Sequence, residues 1–155
     1  MNSYSSSSTL RSRFTTRFLQ ALVKINNGQE REANPASPRQ VHRRYRRVRI
    51  AADKSLALAV GSRRSWSRTL LCKIRTQKRH RWALTRRNTQ RHHKNNINGE
   101  SDLGLRGQSR ELQKLVPGSE GMDLCSLLDE TAHYINCLAT QVQVMRCIAS
   151  SCNST

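Results

Sequence analysis

The amino-acid sequence predicts an all-α protein whose most strongly patterned part is C-terminal, two helices joined by a short loop. Three observations predict it. Apolar residues recur at three- and four-residue spacing in several separate stretches, as on one face of a helix. Proline and glycine stand between those stretches, where helices stop and chains turn. The 155-residue chain is also only 35% hydrophobic, with a formal net charge of +18. That balance predicts a small folded part with basic, partly disordered flanks rather than one large globular core.

The charge divides the chain. Residues 1–94 carry 24 Lys and Arg against 3 acids, a net of +21, whereas residues 95–155 carry 4 against 7, a net of −3. A basic arm therefore precedes a slightly acidic module, and such an arm suits nucleic acid, nuclear import receptors or acidic partners. Within it, MNSYSSSST is a low-complexity start. Leu10, Phe14, Phe18 and Leu22 then recur every four residues until Asn26, Asn27 and Gly28, which predicts an amphipathic helix. Its acid-free, Arg- and Ser-rich character also resembles an organelle transit peptide. Pro35 and Pro38 punctuate a linker; Arg43, Arg44, Arg46, Arg47 and Arg49 lead into an Ala- and Leu-rich helix ending near Gly61. Ser62 or Ser65 is expected to cap a further helix with Trp66, Leu70 and Ile74 at four-residue spacing. The clusters RRYRR (Arg43, Arg44, Arg46, Arg47) and KRHRW (Lys78, Arg79, Arg81) read as nuclear-import or phosphate-binding patches. The expected organisation is thus residues 1–38 (Ser-rich start, amphipathic helix, linker), a basic helical region over 39–87, a flexible Asn- and Gly-rich linker over 88–107, and a helix pair over 108–150.

The helix pair carries the clearest pattern. From Ser109 a short run with Leu112, Leu115 and Val116 on one side stops at Pro117-Gly118, because proline lacks the amide that a continuing helix needs. After the loop SEGM, Asp123 is the expected N-cap of a second helix. In that helix Leu124, Leu128, Thr131, Ile135, Leu138, Val142 and Met145 follow the four-three spacing of a heptad seam, which Leu127, Tyr134 and Ile148 broaden. The short first helix cannot cover so long a stripe, and a unit of about 40 residues rarely holds a core by itself. A second polypeptide is therefore expected to supply the cover, making the pair a helix-loop-helix dimerisation domain. Its expected partner surface is Leu112, Leu115, Val116, Leu124, Leu127, Leu128, Ile135, Leu138, Val142 and Met145. Asp129, Glu130 and His133 are expected on its solvent face, and Cys125, Cys137 and Cys147 as small apolar fillers.

The stretch RELQKLVPGSEGMDLCSLLDETAHYINCLATQVQVM resembles the helix-loop-helix region of bHLH transcription factors, with LVPG, SLL, YIxxL and QVQVM matching as they stand. The resemblance implies pairing of two chains in a parallel four-helix bundle, with basic extensions entering the DNA major groove. This chain departs from that pattern where DNA is read. Lys94, Asn98 and Asp102 occupy the places of the His, Glu and Arg that read the E-box, and Leu124 replaces a lysine that touches the DNA backbone. Gly99, Gly104 and Gly107 further oppose a continuous recognition helix, at about 1 kcal/mol each relative to alanine. Upstream, TRFLQALVKI and RIAADKSLALAVGSRRSWSRTLLCKI are similar to segments of the atypical plant bHLH proteins that antagonise growth-promoting bHLH factors in cell elongation and brassinosteroid responses. That similarity weighs against the transit peptide.

The resemblance implies a nuclear negative regulator. It would heterodimerise with bHLH or atypical HLH proteins, or pair with itself, and prevent productive E-box binding, with no specific DNA recognition and only weak, non-specific nucleic-acid contact of its own. The alternative is a nuclear DNA-binding regulator using the basic helices 39–87, with Trp66 and Trp82 among them. No cofactor, metal or enzymatic activity is expected: five cysteines without CxxC spacing do not converge with histidine, and no nucleophile elbow or phosphate loop is present. No signal-peptide pattern or apolar run of about 20 residues occurs, so a reducing intracellular setting without a membrane is expected.

Overall fold

The computed structural model describes residues 3–28, 37–84 and 105–153. They form five α-helices and no strand: α1 Ser3–Asn27, α2 Pro38–Val60, α3 Ser65–Leu84, α4 Leu105–Leu115 and α5 Leu124–Asn153. The all-α fold with a helix-loop-helix at its C-terminal end is as the spacing predicts. The linker over 88–107 falls largely outside the described residues, as do Lys94, Asn98 and Asp102.

Each helix begins or ends for a local reason. In α1 the buried Phe14 and Phe18 stack with ring centroids 5.5 Å apart. The helix starts at Ser3, seven residues before its apolar rhythm, because extending a formed helix adds a hydrogen bond per residue and serine costs little there. Pro38 opens α2 at a first-turn position, where its missing amide has no intrahelical partner to lose. Gly61 closes α2 at φ 85°, its amide donating to the Ala57 carbonyl at 3.0 Å. The buried Ser67 hydroxyl donates to the carbonyls of Gly61 and Arg64 and so ties the turn between α2 and α3. Helix α4 begins at Leu105, before the expected Ser109, and takes Gly107 into its first turn, where orphan amides make a glycine cheaper than mid-helix.

The core is built by four of the helices and by the residue that follows α4. Phe14 and Phe18 of α1, Ala52, Leu56, Ala57 and Ala59 of α2, Trp66 of α3, Val116 after α4, and Cys137 and Val144 of α5 form one buried cluster. Alanines at the α2 contact let the aromatic rings of α1 come close to its backbone. Helix α1 packs on α2, α2 on α3, and α5 touches all four others. The long C-terminal helix is therefore covered along one side by its own chain. The sequence pattern assigned that cover to another polypeptide because α4 alone was too short. On this side of α5 the N-terminal helices, whose sequence reads as a basic flank, supply it.

Candidate partner interface and the clamp behind it

Helix α5 shows two different sides. Toward the core it turns Leu127, Thr131, Cys137 and Val144, all buried, with Tyr134, Leu138, Met145 and Ile148 packed beside them. Away from the core it turns Leu124, Leu128, Ile135 and Val142, and Leu115 at the end of α4 is open too; these five are between 44% and 75% exposed. Leu128, Ile135 and Val142 stand seven apart, so they lie along one line of the helix. From Leu124 to Val142 the stripe runs about 27 Å.

The expected seam is thus divided lengthwise. Its members Thr131, Leu138 and Met145 are wholly or partly covered from within, while Leu124, Leu128, Ile135 and Val142 remain open. Of the other expected surface residues, Leu112 is half-buried and Val116 and Leu127 are fully inside. Arg43, Arg44, Arg46 and Arg47 lie exposed on α2; Lys78, Arg79 and Arg81 fall within α3, their side chains outside the described residues.

A polar clamp holds the covered side. The carboxylate of Glu130 accepts hydrogen bonds from the amides of Ser65 at 3.2 Å and Trp66 at 3.3 Å. It satisfies orphan donors at the start of α3, a capping task expected of Ser62 or Ser65. The indole Nε1 of Trp66 donates to His133 Nδ1 at 3.1 Å, and the ring lies 4.8 Å from that of Tyr134. Arg64 pairs with Asp129 and Glu130. The Ser65 hydroxyl donates to the Gly118 carbonyl at 2.9 Å, which fastens α3 to the loop of the hairpin.

These contacts correct the placement of Glu130 and His133 on the solvent face. Only Asp129, in its pair with Arg64, stays largely in water. A charged residue on an amphipathic helix reads as solvated unless its partner is known, and this partner lies 65 residues away in the sequence. The cysteines divide similarly: Cys137 is a buried filler, its thiol pushed up to about 11 by desolvation, whereas Cys125 and Cys147 are exposed.

The loop is set by glycine and serine. Gly118 and Gly121 both have φ 77°, and the buried Ser119 hydroxyl donates to the carbonyls of Gln113 and Val116 at the end of α4. Asp123 accepts from the Ser126 amide at 3.0 Å, and hydrogen bonding to the Ser126 side chain and then to its amide holds the carboxyl below the usual range. A Cβ on Gly118 would sit 2.2 Å from Thr69 Oγ1 and 2.9 Å from Thr69 Cβ. Gly118→Ala is expected to cost about 2 to 3 kcal/mol, from left-handed backbone strain plus displacement of α3. Thermal melting of the two chains checks it.

The clamp is also expected to weaken in acid. Burial, then the nearby Arg64 charge, lowers the His133 pKa below 6.5, against the pull of Glu130 and Asp129. Because the folded imidazole binds a proton less readily than the unfolded one, its contribution to stability is complete above pH 6.5 and is lost as pH falls through the folded value. Asp53 opposes this. Burial raises its pKa although a Gln141 hydrogen bond and Arg49 lower it, so acidification relieves a cost there. The melting temperature of the wild-type chain is expected to drop more on acidification below pH 6.5 than that of His133→Phe, and parallel curves would contradict the assignment.

Among the described residues no helix is long and apolar enough to cross a membrane, and no group of three or more His, Cys, Asp or Glu could hold a metal ion. Residues 7–78, which contain the described side chains of α1 to α3, match the family description "IBH1-like, N-terminal domain". The chain is 33% identical over 156 aligned residues to "Transcription factor IBH1" of Oryza sativa subsp. japonica, an alignment covering 83% of this chain and 72% of the rice protein. The chain belongs to the IBH1-like family. Other similar proteins are "Transcription factor bHLH147" of Arabidopsis thaliana, 28% identical over 157 residues (92% of this chain, 67% of that protein), and "Transcription factor bHLH148" of the same plant, 27% identical over 161 residues (91% and 71%). No solved structure matches the chain significantly. The IBH1-like match ends before the hairpin, so the clamp joins the part that carries the family pattern to the part that resembles an HLH.

Proposed function

We propose that this IBH1-like chain is a nuclear transcriptional regulator that acts negatively, by heterodimerising with bHLH proteins and preventing productive E-box binding. The observation that carries the reading is the open apolar line of α5, Leu124, Leu128, Ile135 and Val142. Exposed leucine, isoleucine and valine at heptad spacing on a long helix suit a partner helix, and fully burying each such side chain contributes about 1.5 to 3 kcal/mol. The similarity to plant proteins named transcription factors supports the setting.

The negative sign comes from the positions that read bases in bHLH proteins. Asn98 and Asp102 stand where a base-reading glutamate and a phosphate-facing arginine would be. An E-box is read by two basic helices, so a heterodimer with one such arm loses about half of its base contacts, at roughly 1 to 3 kcal/mol per bidentate contact. The resemblance of the upstream segments extends the reading to antagonism of growth-promoting bHLH factors in cell elongation and brassinosteroid responses.

A gel-shift competition tests it. Adding the chain to a DNA-binding bHLH protein on an E-box duplex is expected to remove the shifted band. Ile135→Asp, at an exposed position whose change leaves the core intact, is expected to leave the band in place. Equal competition by both chains would show that the open line of α5 is not the partner surface.

A further inference from the structure

Helix α2 is longer than the core that supports it. Its first buried residue is Ala52, yet the helix begins at Pro38, and residues 41–47 are exposed without exception. Val41 and Tyr45 continue the line of Val48 and Ala52 at four-three spacing but are 59% and 64% exposed, so the first turns of α2 lie beyond the core's cover. Arg47 lies beside Gly28, at the end of α1, which marks where that cover stops. At 3.6 residues per turn, Arg46, Arg39, Arg43, Arg47 and Arg44 spread over an arc of about 160°, turned away from the Val41–Tyr45 side. The one acid of α2, Asp53, lies beyond this segment.

We propose that this arginine arm, residues 39–47, binds the sugar-phosphate backbone of duplex DNA without regard to sequence. A helix with its side chains is about 10 to 12 Å across, and the major groove is about 12 Å wide with phosphates on both walls. Charges spread over nearly half the circumference meet both walls of such a groove. A flat acidic protein face engages one edge of the arc and leaves the remaining charges in water. Arginine suits phosphate because its planar fork donates two parallel hydrogen bonds. This contact goes beyond the heterodimer reading, which requires no DNA contact from this chain. It would hold the regulator near DNA while its partner is kept from the E-box.

The test is an anisotropy titration of the full chain on a labelled duplex of about 20 base pairs lacking an E-box, at salt between about 50 and 200 mM. Affinity is expected to fall steeply with salt. The variant carrying Arg43→Gln, Arg44→Gln, Arg46→Gln and Arg47→Gln is expected to reduce the log–log salt slope by about 3 to 4 and to bind more than about tenfold more weakly at low salt. Lysine at the same four positions, which retains the charge, is expected to keep the slope. No binding by the wild-type chain at low salt would overturn the proposal, as would an unchanged slope in the glutamine variant. Equal or tighter binding of a poly-glutamate peptide than of the duplex would likewise overturn it and assign the arm to an acidic protein.

Discussion

Replacing Trp66 by alanine is expected to lower the stability of the chain by about 3 to 5 kcal/mol, the range for emptying a buried aromatic site. The ring is fully buried in the cluster that joins α1, α2, α3 and α5, packs on Tyr134, and satisfies its indole N–H at His133. Its removal opens a cavity and leaves His133 Nδ1 without that donor in a half-buried position. Because Trp66 stands at the start of α3 and its contacts lie on α5, the loss falls on the union between the N-terminal helices and the hairpin. Denaturant titration followed by circular dichroism measures the effect. Trp66→Phe, which keeps one aromatic ring and loses the N–H, is expected to lose less.

The fold was legible in the sequence wherever the signal was local. The four-residue rhythm of Leu10, Phe14 and Phe18 announces α1, Gly61 ends α2 as expected, and Pro117-Gly118 marks the hairpin loop. What was not legible depends on distant partners. Glu130 caps a helix that begins at Ser65, and nothing in the neighbourhood of either residue identifies the other. Trp66 lies in the segment RIAADKSLALAVGSRRSWSRTLLCKI that carries the resemblance, and its physical role is visible only with α5 placed against it. The apolar stripe of α5 is, as its spacing implies, too wide for α4 to cover. Spacing alone could not say that α1 to α3 take one side of it, since their arginine content made them look like a solvated flank. Among the described side chains, arginine instead occupies the outward faces of those helices, and alanine, leucine and phenylalanine the inward ones.

The second large effect concerns the side of α5 that the chain leaves open. Placing aspartate at both Leu128 and Ile135 removes two apolar anchors and puts two carboxylates into the proposed interface. At about 1.5 to 3 kcal/mol per buried side chain, the pair of changes is expected to weaken binding of a bHLH partner by at least about 100-fold. Both side chains are more than half exposed in the unpaired chain, so its melting temperature is expected to stay close to wild type. That separation of effects distinguishes a partner surface from a structural one. The same two aspartates introduced at Leu127 and Val144, which are inside, are expected to unfold the chain.

The central claim is that α5 serves its own N-terminal helices with one side and a second polypeptide with the other, both at once. Trp66 emission reports on the first side, and Trp82→Phe leaves it as the sole tryptophan of the chain. A tryptophan-free bHLH partner titrated into that variant is expected to bind with Trp66 emission remaining that of a buried indole. If binding instead shifts the emission to that of indole in water, the partner displaces the N-terminal helices and the two-sided account is contradicted.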